Sequence, residues 1–196
     1  MHHSYYIIYK PYMVLSQFTS VDGKQCLKDL FSPGRDVYPV GRLDYDSEGL
    51  LILTNDAALN HKLLNPLFKH QRKYMVQVDG QITTEALVKL QGGIDINING
   101  KTYRTQSCEA TLINGAPLIP DRNPPVRYRK NIPTSWIELT LTEGKNRQVR
   151  KMTAAVGFPT LRLIRSAIGN ITIGDLQPGD IKALSGNTIY RQLFGK

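Results

Sequence analysis

The chain has 196 residues, 41% of them hydrophobic, enough to bury a core and within the range of one or two domains. Its longest apolar runs, such as residues 50–53, fall far short of the roughly 20 residues a membrane helix needs, and no secretory signal precedes the strand-like opening Tyr5-Tyr6-Ile7-Ile8-Tyr9. Twenty-five Lys and Arg against sixteen Asp and Glu give a formal charge of +9. Such an excess attracts polyanions, the phosphate backbone of nucleic acid above all, although a merely basic soluble surface gives the same number.

Turn signals recur between short apolar runs, which reads as an α+β chain dominated by antiparallel strands. Residues 5–9 form the first expected strand. Residues 50–54 form the second, at the end of a polar block. Asn55 or Asp56 then caps a helix carrying Leu59 and Leu63, which stops near Pro66. Residues 73–78 alternate, with Tyr74, Val76 and Val78 on one face. Thr83 or Thr84 caps a helix over residues 85–90 that ends at Gly92-Gly93. The proline-rich stretch 117–133 carries Arg122, Arg127, Arg129 and Lys130 and reads as an irregular basic loop. A strand over 136–141 and a helix from about Asn146 to Gly157 follow, the helix burying Val149, Met152 and Val156. Cys26 and Cys108 match no zinc or redox spacing and read as reduced thiols of a cytoplasmic protein.

The chain carries no phosphate-binding glycine loop, no dinucleotide fingerprint, no metal-spaced His/Cys cluster and no Ser-His-Asp arrangement. A catalytic group here is therefore expected to be a carboxylate. The densest polar block beside an apolar strand is Gly41-Arg42-Leu43-Asp44-Tyr45-Asp46-Ser47-Glu48-Gly49. Its glycines allow a tight loop whose backbone approaches a ligand closely. Three acids at alternate positions are too many for a satisfied core, yet on spacing alone Arg42, Asp46 and Glu48 also read as surface ion pairs. The second block is Glu143-Gly144-Lys145-Asn146-Arg147-Gln148-Val149-Arg150-Lys151-Met152. With a helix starting near Asn146, Arg147, Arg150 and Lys151 share one stripe. Cations in a first helical turn oppose the macrodipole unless an anion is near, so the stripe suggests RNA phosphate, a carboxylate, or both.

Taken together, GRLDYDSEGLLILTND and EGKNRQVRKM closely resemble two motifs of the RsuA/RluB/RluE/RluF family of pseudouridine synthases. The similarity continues through Thr160–Arg165, Ile168-Gly169, Leu176 and Gly179. With KPYMVLSQFT and RNPPVRYRKNIPTSWIEL it is strongest to that family's synthase E group. The resemblance implies an isomerisation that breaks the C1′–N1 glycosidic bond of a uridine, turns the base and rebonds it through C5, with no cofactor and no metal. It implies Asp44 as the catalytic carboxylate, attacking carbon or taking a ribose proton. Arg150 is implied as its guanidinium partner, Tyr74 as the ring set against the target uracil, and Arg42 as the group filling the displaced base's space or binding a phosphate. Lys73, Arg127, Arg129, Lys130, Lys145 and Arg147 are candidate RNA-backbone contacts from charge and position. Many relatives have a glycine after Lys-Pro where this chain reads Lys10-Pro11-Tyr12-Met13, so that loop is open to a different shape. Many also carry a preceding S4 domain, for which residues 1–196 leave no room.

The expected architecture is one α+β catalytic domain with a mainly antiparallel sheet, flanking helices and two lobes about a basic cleft floored by Asp44. The expected substrate is a single uridine of 23S ribosomal RNA, and the expected state a cytoplasmic monomer with no membrane partner. Two rival readings stand beside it. One is a non-catalytic RNA-binding or ribosome-assembly protein on the same scaffold. The other is a glycoside hydrolase using two of Asp44, Asp46 and Glu48.

Overall fold

A computed structural model of the chain describes residues 3–34, 36–127 and 132–195. In chain order its elements are β1 (Tyr5–Lys10), β2 (Tyr38–Pro39), β3 (Glu48–Thr54), α1 (Ala57–Leu64), β4 (Arg72–Asp79), α2 (Thr84–Gln91), β5 (Asp95–Ile98), β6 (Lys101–Arg104), β7 (Glu109–Ile113), β8 (Thr134–Leu141), α3 (Gln148–Ala155), β9 (Thr160–Ile168), β10 (Ile171–Thr172), β11 (Ile181–Leu184) and α4 (Gly186–Phe194). They fall into two compact units, Met1–His70 with Ile164–Lys196, and Gln71–Leu163.

The first unit is built on the strand order β11-β1-β3-β9. β1 pairs antiparallel with β11 and β3, while β3 and β9 run parallel through Glu48↔Ile164 and Gly49↔Arg165. β3 is buried at every position, which is why its sequence Leu50-Leu51-Ile52-Leu53 is a continuous apolar run rather than an alternation. Ile8, Val14, Leu27, Val37, Leu51 and Leu53 form a core cluster, each such side chain worth about 1.5–3 kcal/mol on burial.

Asp56 ties this unit together. Its Oδ1 accepts from the backbone N–H groups of Ala58 and Leu59 at 2.9 and 3.1 Å, capping α1. Its Oδ2 accepts from the hydroxyls of Tyr5 on β1 and Tyr190 on α4, both at 2.8 Å. Burial pushes the Asp56 carboxyl up, but the Leu59 N–H and the two hydroxyls outweigh it and hold the group below the usual carboxylate range. Burial and the hydrogen bond to Asp56 raise both phenols, Tyr190 to about 12 and Tyr5 further still. A phenol raised in the fold stabilises fully below its unfolded value near 10 and loses that stabilisation as pH climbs through the folded value. Thermal stability is therefore expected to fall steeply above about pH 10. Tyr190→Phe is expected to flatten that alkaline fall and to lower Tm by a few degrees at neutral pH. An alkaline slope identical to wild type would exclude the tyrosine–Asp56 link as its source.

The second unit is an antiparallel run β4-β8-β7 with a separate β5–β6 hairpin. Tyr74, Val76 and Val78 share the buried face of β4 with Ile137, Leu139 and Leu141 of β8, and α2 closes on them through Ala86 and Leu90. The Thr83 side chain caps α2, accepting from Ala86 N–H at 3.2 Å, and Gly92 ends it. The expected strands at 5–9, 50–54, 73–78 and 136–141 all form, within slightly longer elements. One helix differs from expectation. α3 begins at Gln148, not near Asn146, because Arg147 takes a left-handed φ of +52° and stands ahead of the helix. Arg147 thus leaves the cationic stripe expected for it.

Candidate active site

Asp44 lies in the first unit, in the loop between β2 and β3, and the backbone around it is pinned at three consecutive residues. The Ser16 hydroxyl donates to Leu43 O at 2.8 Å and accepts from Leu43 N–H at 3.0 Å. Ser47 N–H donates to Asp44 O at 3.0 Å, and Met13 N–H donates to Tyr45 O at 2.9 Å. Held this way, the backbone that carries the Asp44 side chain is ordered in advance of any ligand. Met13 makes its bond from a left-handed φ of +57°. This is the conformation a glycine adopts freely, so the turn keeps a glycine-like shape with a side chain on it.

Sequence reasoning missed the group beneath this loop. Lys10, at the end of β1, is completely buried, and its Nζ donates to Pro11 O at 2.8 Å and Val14 O at 2.7 Å. Burial drives its ammonium down to about 7 against the field of Glu48, Asp46 and Asp44, with Arg165 adding to the depression. Through its bonds to the Pro11 and Val14 carbonyls, Lys10 holds the turn that presents Met13 N–H to Tyr45. A lysine reads as a surface residue, and its place between an apolar strand and a proline was the one available signal. Glu48 is also buried, at 2% exposure, so it is not the surface ion-pair member that spacing suggested. Arg42 is exposed and Asp46 half-buried. The loop glycines serve the fold first. A Cβ on Gly49, at φ +104°, would lie 2.3 Å from Arg165 O of β9, so the close approach is to protein backbone.

Tyr74 and Arg150 belong to the second unit. Tyr74 sits on β4 opposite Leu139 and is 9% exposed within the core cluster. Arg150 lies on α3, half-buried, with Nη1 donating to Thr160 O at 3.5 Å among its interactions. The segment ahead of α3 is anchored by Glu143, itself buried. That carboxylate accepts from Tyr103 hydroxyl at 2.5 Å, Gln106 N–H at 2.9 Å and the Gln148 side-chain amide at 2.6 Å. Gln148 in turn accepts from Lys145 N–H at 2.9 Å. Glu143 and Gln148 belong to the second motif, but spacing alone gives them no role; they set where Arg147 and Arg150 emerge.

The expected RNA contacts divide. Lys73 Nζ pairs with Glu138 at 3.0 Å, and Lys145 Nζ stands over the Tyr103 ring at 4.8 Å. A phosphate would compete with both arrangements. Arg147 and Arg127 are exposed. Arg129 and Lys130 lie outside the described residues. Among the described residues no cluster of metal-binding side chains occurs, and no helix is long and apolar enough to cross a membrane.

Comparison with known proteins bears on these motifs directly. Residues 4–155 match the RNA pseudouridylate synthase family. The chain is 52% identical over 178 residues to ribosomal large subunit pseudouridine synthase E of Vibrio parahaemolyticus, covering 91% of this chain and 72% of that one. It is 49% identical to the synthase E of Xanthomonas axonopodis pv. citri, over 88% of this chain and 89% of that one, and 35% identical to synthase B of Bacillus subtilis, over 95% and 70%. A crystal structure of a pseudouridylate synthase superposes with a TM-score of 0.79 at 22% identity, covering 98% of this chain and 74% of that one, which speaks for the shared fold. With both motifs inside the matched span, and relatives this similar along most of their length, the chain belongs to the RNA pseudouridylate synthase family.

Proposed function

We propose that this protein isomerises one specific uridine of 23S ribosomal RNA to pseudouridine, with Asp44 as the catalytic carboxylate. The observation that carries the reading is the pinned loop. Leu43, Asp44 and Tyr45 each have a backbone group fixed by a named partner, which suits a reacting carboxylate. The reaction balances without a co-reactant. The N1–C1′ bond breaks, a C5–C1′ bond forms, C5 gives up its proton and N1 gains one. Asp44 either attacks carbon or takes a ribose proton, and both need the ionised carboxylate. Arg150 is assigned as its guanidinium partner, Tyr74 as the ring for the uracil, and Arg42 as the residue that takes the displaced base's space or a neighbouring phosphate.

Residues 1–196 act as one catalytic domain, and the protein works as a cytoplasmic monomer on free rRNA or on an assembling large ribosomal particle. Arg127, Arg129, Lys130 and Arg147 grip the RNA backbone, with Lys73 and Lys145 joining by exchanging their present partners for phosphate. The buried state of Glu48 disfavours a glycoside hydrolase that would need it beside Asp44. The test is to map pseudouridines across 23S rRNA from a strain lacking the gene and to treat that rRNA with the purified protein. One site is expected to vanish in the strain and return in vitro. An unchanged map together with an inactive protein would leave the RNA-binding reading instead.

A further inference from the structure

Beside the Asp44 loop the first unit exposes an apolar surface that neither its core nor the proposed chemistry uses. Leu64 is 45% exposed at the end of α1, and Leu67 and Phe68 are 84% and 49% exposed in the 3-10 turn that follows. These side chains are held outward. Asn65 Oδ1 accepts from Leu67 N–H at 3.0 Å, Pro66 opens the turn, and Lys69 closes it at a left-handed φ of +47°. The Phe68 ring ends a row of aromatic groups, 6.0 Å from His70, which is 5.2 Å from Phe194. Lys62 Nζ stands 4.9 Å over Phe194. The surface adjoins the catalytic loop, since a Cβ on Gly41 would meet Leu64 Cδ2 at 3.1 Å, three residues before Asp44.

Charge decides between occupants. From Ala57 to Lys69 there is no Asp or Glu, and α4 has none either. A second copy docking through the same patch would bring Lys62 and Lys69 against their own equivalents. An apolar, aromatic centre with a cationic rim instead fits single-stranded nucleic acid, whose bases stack while its phosphates reach the rim. We propose that Leu64, Leu67 and Phe68, with Lys62 and Lys69 beside them in the chain, form a platform for unstacked RNA bases flanking the target uridine. This rests on the reading of the protein as an RNA uridine isomerase. It supplies what that chemistry needs, because a uridine pulled out of its stack leaves neighbours that have lost stacking partners.

The experiment compares wild type, Leu67→Ala/Phe68→Ala and Phe68→Trp, all changed at exposed positions and checked by melting. The probes are a short single-stranded RNA carrying 2-aminopurine and a 23S fragment containing the target. Stacking of about 1–3 kcal/mol per base predicts roughly 5- to 150-fold weaker binding for the double variant. Phe68→Trp is expected to bind as wild type does and to quench the probe more strongly. The loss should lie in KM rather than kcat, with the salt slope kept, whereas Lys62→Met/Lys69→Met should lower that slope by about 0.7 per lost contact. Binding of the double variant within twofold of wild type would overturn the platform. So would self-association abolished by that variant with RNA affinity intact, which would assign the patch to a second copy. An active wild type with indifferent variants removes the platform and leaves the isomerase. An inactive wild type whose RNA binding depends on Phe68 removes the isomerase and leaves the platform.

Discussion

Asp44→Asn is expected to abolish pseudouridine formation while RNA binding stays at the wild-type level. The amide keeps the shape of the carboxylate, and the backbone that holds it is fixed by Ser16, Ser47 and Met13, none of which contacts its side chain in doing so. Geometry should therefore survive. What the amide lacks is a negative oxygen able to bond to carbon or accept a proton. A positioned acid or base contributes about 10²–10⁴ in rate, and loss of a nucleophile costs at least as much. Removing a negative charge from a surface that meets phosphate cannot weaken binding through electrostatics. The measurement is single-turnover conversion of a 23S fragment with the dissociation constant determined in parallel. Residual activity within tenfold of wild type would move the catalytic role to another group.

How much of this was legible in the sequence depended on how local the governing physics was. The caps at Asp56 and Thr83 act within three residues, so the starts of α1 and α2 could be read directly. The apolar runs of β1, β3, β4 and β8 were read for the same reason. The β5–β6 hairpin was passed over although Asn99-Gly100, both at positive φ, is a strong two-residue turn signal. α4 was hidden behind Gly186-Asn187-Thr188, poor helix formers that need the Ser185 cap and burial of Ile189 and Leu193 to be helical at all. The start of α3 was placed two residues early, because no local rule puts a left-handed Arg147 before it. The motif singles out the Asp44 loop as a candidate, but nothing in the motif points to the groups that support it. Lys10 touches it through a turn, and Glu48 joins it from inside the core. Both side chains are ionisable, and burial of an ionisable group is a tertiary fact that spacing does not carry.

Gly49→Ala is expected to remove a large part of the stability of the first unit. Two terms add. At φ +104° any L side chain is strained, by roughly 1–2 kcal/mol even in the milder left-handed region. The new Cβ would also lie 2.3 Å from Arg165 O and 2.7 Å from Arg165 N. Both are backbone atoms of β9, paired with β3 at this very residue, so no rotamer change relieves the clash. The strands must separate, and β3 is buried along its whole length. A sum above about 4 kcal/mol is a large part of the stability of an ordinary domain. Gly23→Ala isolates the first term, since Gly23 has a φ of +68° with nothing within 4 Å of its Cβ position. That variant should lose only about 1 kcal/mol, partly offset by the reduced freedom of its unfolded chain. Urea denaturation of the two proteins provides the comparison. If Gly49→Ala stayed within about 1 kcal/mol of Gly23→Ala, β3 and β9 would not approach as closely as their pairing at Gly49 requires, and the glycine at the end of the Asp44 loop would instead be reserved for the approach of substrate.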